Sequence, residues 1–131
     1  MTRSDRTNIS SIETFFDSLL RGRLTDNLFF NELPPAVKEK WKDVVVVDCA
    51  NPIFNYDAYS KGTVLILLYA KVNAYGKKDV KTLQNLEKKL NTILEESNDE
   101  HYKVSVRGRY SNYSAVNDIF FNVIQINLII T

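Results

Sequence analysis

The chain has few of the residues that form cross-links, metal sites or membrane segments. Its 131 residues include one cysteine, one histidine and one tryptophan. The single cysteine, Cys49, excludes an intramolecular disulfide bond and is typical of a reducing compartment. No apolar run reaches the ~18 residues that span a bilayer, and residues 1–8 lead into no apolar segment of the kind that forms a secretory signal. We therefore expect a protein that has no membrane contact and is made and used without export.

Charge and motif content argue against several classes of function. The net charge is +1, from 17 Lys+Arg and 16 Asp+Glu, so electrostatics gives no case for a dedicated nucleic-acid or membrane-surface binder. We interpret His101, in a polar turn without nearby metal ligands, as an exposed residue, and Cys49 as a small core residue. No Ser-centred nucleophile motif, glycine-rich phosphate loop or set of spaced metal ligands occurs. The sequence therefore predicts a protein without catalytic activity, cofactor or metal.

The most strongly patterned stretch runs from a central strand into a long helix. Residues 62–72 form an apolar run that is typical of a strand buried on both faces. Residues 79–96 follow with a helical period, and Asp79 is the expected N-cap. The apolar positions of this helix share one face: Val80, Leu83, Leu86, Leu90, Ile93 and Leu94. The pair predicts a sheet that is covered by this helix.

The N-terminal part of the chain predicts a polar tail followed by a helix. Residues 1–8 are polar, and we expect them to be disordered. Ser10 and Glu13 have the spacing of a capping box, in which each side chain accepts from the other residue's backbone N–H. Apolar residues then recur at helical spacing, so a first helix is expected over residues 11–23.

The other elements are predicted to be strands. Residues 28–33 suit either a brief edge strand or an extended linker before two prolines, and the four valines 44–47 form a short buried strand. Residues 102–107 alternate between polar and apolar side chains, and residues 119–130 form a longer last strand. With residues 36–42 as a single turn, the chain is interpreted as one domain, residues 1–131, of the α+β class. The predicted order is α-β-β-α-β-β, a two-layer fold in which a mainly antiparallel sheet of about four strands carries one long helix and an N-terminal helix.

Two long connections carry aromatic side chains that no helix or strand period would bury. Residues 51–62 are too long for a simple hairpin turn, and they either fold back over the core or reach out to another chain. Residues 108–118 form a second, polar connection. Tyrosine is favoured at interfaces because it combines a large apolar area with a polar tip. The residues that we predict as candidates for subunit contacts are Phe54, Tyr56, Tyr59, Tyr110 and Tyr113.

The second of two Arg-Gly-Arg sequences lies beside the later tyrosines. Arg107 and Arg109 flank a glycine at the predicted end of a strand. Arginine, glycine and tyrosine on a loop suit contact with a phosphate backbone, and they also suit a solvated hairpin end. Arg107 and Arg109 are therefore candidates for facing DNA.

Several features follow one another in a characteristic order: Glu32-Leu33-Pro34-Pro35, Val44-Val45-Val46-Val47-Asp48, Ala58-Tyr59-Ser60-Lys61-Gly62-Thr63, the strand 64–71, the helix 83–90 and the terminal hairpin that ends at Ile130. In the order of these elements and in their residue types, the chain resembles the tail-terminator (tail-completion) proteins of long-tailed bacteriophages and prophages. These proteins are also described as minor tail or head–tail joining proteins. The resemblance covers nearly the whole chain from about Ile12.

The resemblance implies a structural role without catalysis. Subunits of this family are α+β and assemble into a ring, typically of six, that caps the tail tube and joins it to the head. The implied partners are further copies of the chain, the tail tube protein and the head–tail connector proteins, while DNA only passes through the lumen. The implied location is the virion tail, after synthesis in the bacterial host cytoplasm.

A second class of protein fits the same elements. It is a small cytosolic regulatory module with a ferredoxin-like sheet that binds a ligand or RNA on its open face. Such a module is expected to carry aromatic residues on the sheet face. The tyrosines are predicted to lie in the connections instead, which favours the ring-forming protein.

Overall fold

The structure is a computed structural model, and it describes residues 2–32, 43–71, 79–114 and 119–131. Within these ranges the chain forms three helices and one sheet of six strands. The elements are α1 Arg3–Arg6, α2 Ile9–Leu20, β1 Leu28–Phe30, β2 Val44–Asp48, β3 Ile53–Asn55, β4 Ser60–Lys71, α3 Val80–Glu95, β5 Tyr102–Ser114 and β6 Ile119–Ile130. The predicted α+β class is confirmed, whereas about four strands in the order α-β-β-α-β-β is wrong in detail. The turn predicted over residues 36–42 lies outside the described residues.

The sheet is mixed, with the strand order β1-β2-β4-β6-β5. β1 runs parallel to β2, and the other pairs are antiparallel. β2 and β3 follow one another along the same edge of β4, because β2 pairs with residues 65–69 and β3 with residues 60–62. β1 confirms the edge-strand alternative for residues 28–33. β1 and β3 have three residues each, which is too short for a period to be visible in the sequence.

The main core lies on one face of the sheet, between the sheet and the helices α2 and α3. Ile66 of β4 pairs with Ile124 of β6, and both side chains are fully buried on this face. Phe16 of α2 and Leu83 of α3 complete the same core. Burial of each such side chain contributes about 1.5–3 kcal/mol. The predicted apolar face of α3 is confirmed except for Val80, which is exposed at the first position of the helix.

The start of α2 differs from the prediction. Asn8 caps the helix, since its side-chain oxygen accepts a hydrogen bond from the Ser11 backbone N–H at 2.8 Å. Glu13 accepts a hydrogen bond from Asn31 Nδ2 at 2.8 Å, so the capping box predicted for Ser10 and Glu13 is wrong. Asparagine and serine are equally effective caps, and the local spacing therefore did not decide between the two starting points.

The end of α2 and the N-terminal tail also differ from expectation. α2 ends at Leu20, short of the predicted residue 23, and Gly22 follows with a φ of 80° that leaves the helical region. Residues 1–8, expected to be disordered, include α1. Arg6 links this segment to the sheet, because its carbonyl oxygen accepts from the Tyr102 hydroxyl at 2.8 Å and its Nε donates to the Thr131 carbonyl oxygen at 2.9 Å.

β5 is longer than the sequence predicts. It pairs with β6 as far as Ser114, and Arg107 forms a β-bulge in the pairing. The bulge shifts the alternation of side chains by one residue, so the polar–apolar pattern breaks where the predicted strand 102–107 ended. The predicted polar connection 108–118 is therefore a strand through Ser114.

The second face of the sheet changes character along the strands. The registers place Lys61 and Lys103 in one row at the end where β4 begins. At the opposite end the rings of Tyr69 and Phe121 stack with centroids 5.1 Å apart. Burial raises the pKa of Tyr69. This face therefore runs from cationic and polar to aromatic.

Candidate functional site

The described residues show no metal cluster, no reactive thiol and no membrane helix. They contain no group of three or more His, Cys, Asp or Glu side chains that could hold a metal ion. Burial, with smaller contributions from Glu13 and Asp48, raises the pKa of the Cys49 thiol to about 12, and such a thiol is a poor nucleophile at neutral pH. His101 is half-buried rather than exposed, and its backbone N–H donates to Asp99 Oδ1 at 2.8 Å. No helix in these ranges is long and apolar enough to cross a membrane.

The β3–β4 hairpin ends in a cluster of exposed aromatic side chains, here named the aromatic tip: Phe54, Tyr56 and Tyr59. Their exposed fractions are 61%, 50% and 38%. The two tyrosine rings stack with centroids 5.0 Å apart. A backbone hydrogen bond of 2.8 Å from Tyr56 N to Tyr59 O closes the turn between them. The tip therefore presents a preformed apolar surface with hydroxyl groups at its edge.

The base of the aromatic tip is anchored to the sheet. Ser60 is fully buried and donates from Oγ to Asn55 Oδ1 at 2.7 Å. Ile53 packs on the core and pairs with Gly62 across the hairpin. A Cβ atom at position 62 would meet Cδ1 of Ile53, so the end of the Ile53 side chain would have to shift to admit any other residue. Residues 51–62 thus fold onto the core through Ile53, while the aromatic tip is exposed; the alternative that this connection reaches another chain stays a prediction.

Tyr110 and Tyr113 lie on β5 and not in a loop, contrary to the prediction. They point to opposite faces of the sheet because their positions along the strand differ by three, an odd number. Both are exposed, and Tyr113 contacts Phe120 with ring centroids 4.7 Å apart. Phe120 is near the start of β6, whereas the aromatic tip adjoins the strand end that pairs with Ile130. The five predicted contact residues therefore do not form one surface.

The two candidate DNA-facing arginines have different surroundings. Arg109 Nη2 donates to Glu87 Oε2 at 2.9 Å, and Arg109 Nε donates to Glu87 Oε1, a bidentate pair that joins β5 to α3. Arg107 is exposed at the β-bulge and forms no ion pair with the described part of the chain. Arg107 is consequently the more available of the two for a phosphate group.

A groove beside α3, here named the α3 groove, is a further candidate site. Its volume is about 720 Å³. The described residues that line it include Arg23, Asp43, Leu86, Lys88, Lys89 and Ile93. Leu86 and Ile93 are buried side chains that form an apolar floor, and the exposed Lys88 and Lys89 border it. At one end Arg23 Nη2 and Glu96 Oε2 form an ion pair of 3.1 Å.

Sequence reasoning missed the α3 groove and the aromatic end of the second sheet face. Lys88 and Lys89 fall on the polar side of the predicted helix, and this spacing is the only signal of the groove in the sequence. Tyr69 and Phe121 belong to strands that were predicted, but their pairing depends on the register between those strands.

Among known proteins, no protein-family model matches the chain, and a search of curated proteins finds no match.

Proposed function

We propose that this protein is a structural, tail-terminator-like protein of a bacteriophage or prophage. Copies of the chain assemble into a ring, of six subunits by the resemblance, that caps the tail tube and joins it to the head. The ring is not an enzyme, and it acts in the virion tail with DNA passing through its lumen.

The observation that carries this proposal is the aromatic tip. Single exposed apolar residues are common on protein surfaces. The hairpin carries three exposed aromatic rings, and two of them, Tyr56 and Tyr59, are stacked; exposed apolar groups close together are typical of protein–protein contacts. Each buried tyrosine or phenylalanine removes about 150–250 Å² from water. A hairpin with an anchored base and an apolar end supports a role as a contact arm between subunits.

Deletion of the gene from the phage or prophage that encodes it tests the function. We expect the deletion to yield filled heads that are not joined to tails, and tails of irregular length, by electron microscopy after induction. A copy of the gene supplied in trans is expected to restore joined particles. Normal tailed particles from the deletion strain would contradict the proposal.

The role of the aromatic tip is tested by a matched pair of variants in the same complementation assay. Tyr56→Ser combined with Tyr59→Ser removes the stacked rings, and we expect this protein to fold normally but not to restore joined particles. Val106→Ser is the control, because Val106 is similarly exposed but lies on β5. If the tip variant complements as well as the control, the tip is not a contact surface.

A ligand- or RNA-binding module is the second candidate, because Tyr110 lies on a sheet face and not in a connection. Tyr69 and Phe121 stack in the neighbouring row of the same face. Aromatic rings on a sheet can stack the bases of single-stranded RNA. If the protein is such a module, single-stranded RNA oligonucleotides titrated into it should bind. The affinity should fall with added salt and in the Tyr110→Ser variant. Absence of binding at low salt would count against this candidate.

A further inference from the structure

We infer that the aromatic tip of one copy of this chain binds in the α3 groove of a second copy. The inference rests on the proposed function and names the two surfaces that meet between neighbouring subunits. It can fail while the proposed function stands, because a ring can also form through other surfaces.

The size and chemistry of the two surfaces correspond. The groove volume of about 720 Å³ lies within the range of ~300–1,000 Å³ of sites that enclose small ligands. Leu86 and Ile93 provide an apolar floor for aromatic rings, while Asn85 and Thr92 add polar groups to the same lining. Tyrosine suits such a lining because its ring is apolar and its hydroxyl needs a hydrogen-bond partner.

The charges also correspond. Asp57 is the exposed charge at the turn of the hairpin, and the exposed Lys61, which pairs with Phe54, lies behind the turn on β4. Lys88 and Lys89 at the groove form no ion pair with the described residues. Arg23 is already paired with Glu96, and Asp43 is the remaining acidic group of the lining. The groove therefore presents a net positive charge to an anionic hairpin turn.

The two surfaces lie apart within one chain, and no residue of the aromatic tip is among the described residues that line the groove. The aromatic tip lies beyond Ser60, at the start of β4. Asp43 of the groove directly precedes Val44, which pairs with Tyr69 near the other end of β4. Residues 60 and 69 are nine positions apart along this strand, roughly 30 Å at about 3.3 Å per residue. A contact between the aromatic tip and the α3 groove therefore joins two copies of the chain.

Such a contact is head-to-tail, because it joins two different surfaces of the same subunit. Contacts of this type repeat from copy to copy, and they form a closed ring when the rotation between subunits closes. The two surfaces at opposite ends of the sheet therefore supply the connectivity that a ring requires.

Cysteine cross-linking of the purified protein tests the pairing. The variant carries Ala58→Cys and Lys89→Cys on a Cys49→Ser background, so that both stacked tyrosines are kept. A short bismaleimide is added at the highest soluble concentration of the protein. We expect a ladder of covalent dimers, trimers and higher species, since every chain offers one tip and one groove. The matched control carries Ala58→Cys and Lys81→Cys on the same background, because Lys81 is exposed on the same helix but outside the groove lining.

Two results would overturn the inference. One is a ladder that is absent, or no stronger than that of the Lys81 control. The other is that position 89 links to a different protein and never to position 58, when the same variants are cross-linked in assembled particles. If the ladder forms but deletion of the gene leaves tailed particles normal, the pairing stands and the proposed function fails.

A charge reversal provides an independent measurement of the same contact. We expect Asp57→Lys to weaken the ladder at least about fivefold, as the loss of roughly 1 kcal/mol requires. Lys88→Asp in the same chain restores the opposite charges and is expected to recover most of the yield. Equal ladders from all three proteins would show that these charges do not face one another.

Discussion

The ion pair between Arg109 on β5 and Glu87 on α3 can be tested against a control two residues away. Both donor nitrogens of the bidentate pair contact the carboxylate. The side-chain exposure is 53% for Arg109 and 15% for Glu87, so solvent screens one partner more than the other. Exposed pairs contribute about 0.2–1 kcal/mol, and the bidentate geometry with a largely buried carboxylate places this pair at the upper end, about 1 kcal/mol. We therefore expect Arg109→Ala to lower the free energy of unfolding by about that amount, and Arg107→Ala to change it by less than about 0.5 kcal/mol.

Urea unfolding of the wild type, Arg109→Ala, Glu87→Ala and the double variant gives the coupling energy directly. We expect a coupling of about 1 kcal/mol that decreases with added salt, because salt screens the exposed guanidinium. A coupling indistinguishable from zero would refute the assignment of a stabilising pair. So would an Arg107→Ala protein that loses as much stability as Arg109→Ala, since Arg107 has no partner in the described residues.

Three further predictions concern the N-cap, the hairpin and the thiol. Asn8→Ala should lower the free energy of unfolding by about 1 kcal/mol, because it removes the cap of α2. In the same urea assay Ser10→Ala should leave this free energy nearly unchanged. A larger loss of stability from Ser10→Ala than from Asn8→Ala would support the predicted capping box instead. Gly62→Val should lower the free energy of unfolding by about 1–3 kcal/mol, because the added side chain meets Ile53 across the hairpin. Gly108→Val makes only an ordinary contact and should change this free energy by less than about 0.5 kcal/mol. Equal losses of stability in the two variants would show that the close approach to Ile53 is not the cause. Cys49 is buried and its pKa is raised, so at pH 8 it should react with a disulfide reagent more slowly in the native protein than in denaturant. The expected ratio of the two rates is on the order of 10³ or more. Rapid labelling of the native protein would contradict the burial of Cys49.

The elements that the sequence predicts well are those with a complete pattern of their own. β6 has the predicted bounds, Ile119–Ile130. α3 differs by one residue at each end from the predicted 79–96, and Asp79 caps it as expected, accepting from the Thr82 N–H at 3.1 Å. In both elements the period of apolar residues extends over three or more turns or pleats. The pattern therefore determines both the type of element and the buried face without information from the rest of the chain.

The elements that the sequence does not predict depend on a partner elsewhere in the chain. β3 exists because Ile53 and Asn55 pair with residues of β4, and three residues carry no period. The second half of β5 is polar on both faces, and it remains a strand because its backbone pairs with β6 beyond the bulge at Arg107. Hydrogen bonding in a sheet ladder does not require apolar side chains. A polar edge strand is therefore easily interpreted as a loop, which is how Tyr110 and Tyr113 were misplaced.

Of the two candidate surfaces, the sequence predicts the aromatic tip but not the α3 groove. The three residues of the aromatic tip lie within the contiguous segment 54–59, and the composition of this segment alone predicted a contact arm. The α3 groove combines Arg23 from the turn after α2, Asp43 before β2 and the polar side of α3. These segments meet only because β2 pairs with β4 while α3 packs on the same sheet. A surface built from distant segments leaves no local signal, so only the folded chain shows where the α3 groove lies. In the assembly that we propose, each copy offers one surface that inserts and another that receives, and this division is how a chain without a catalytic motif would serve an assembly function.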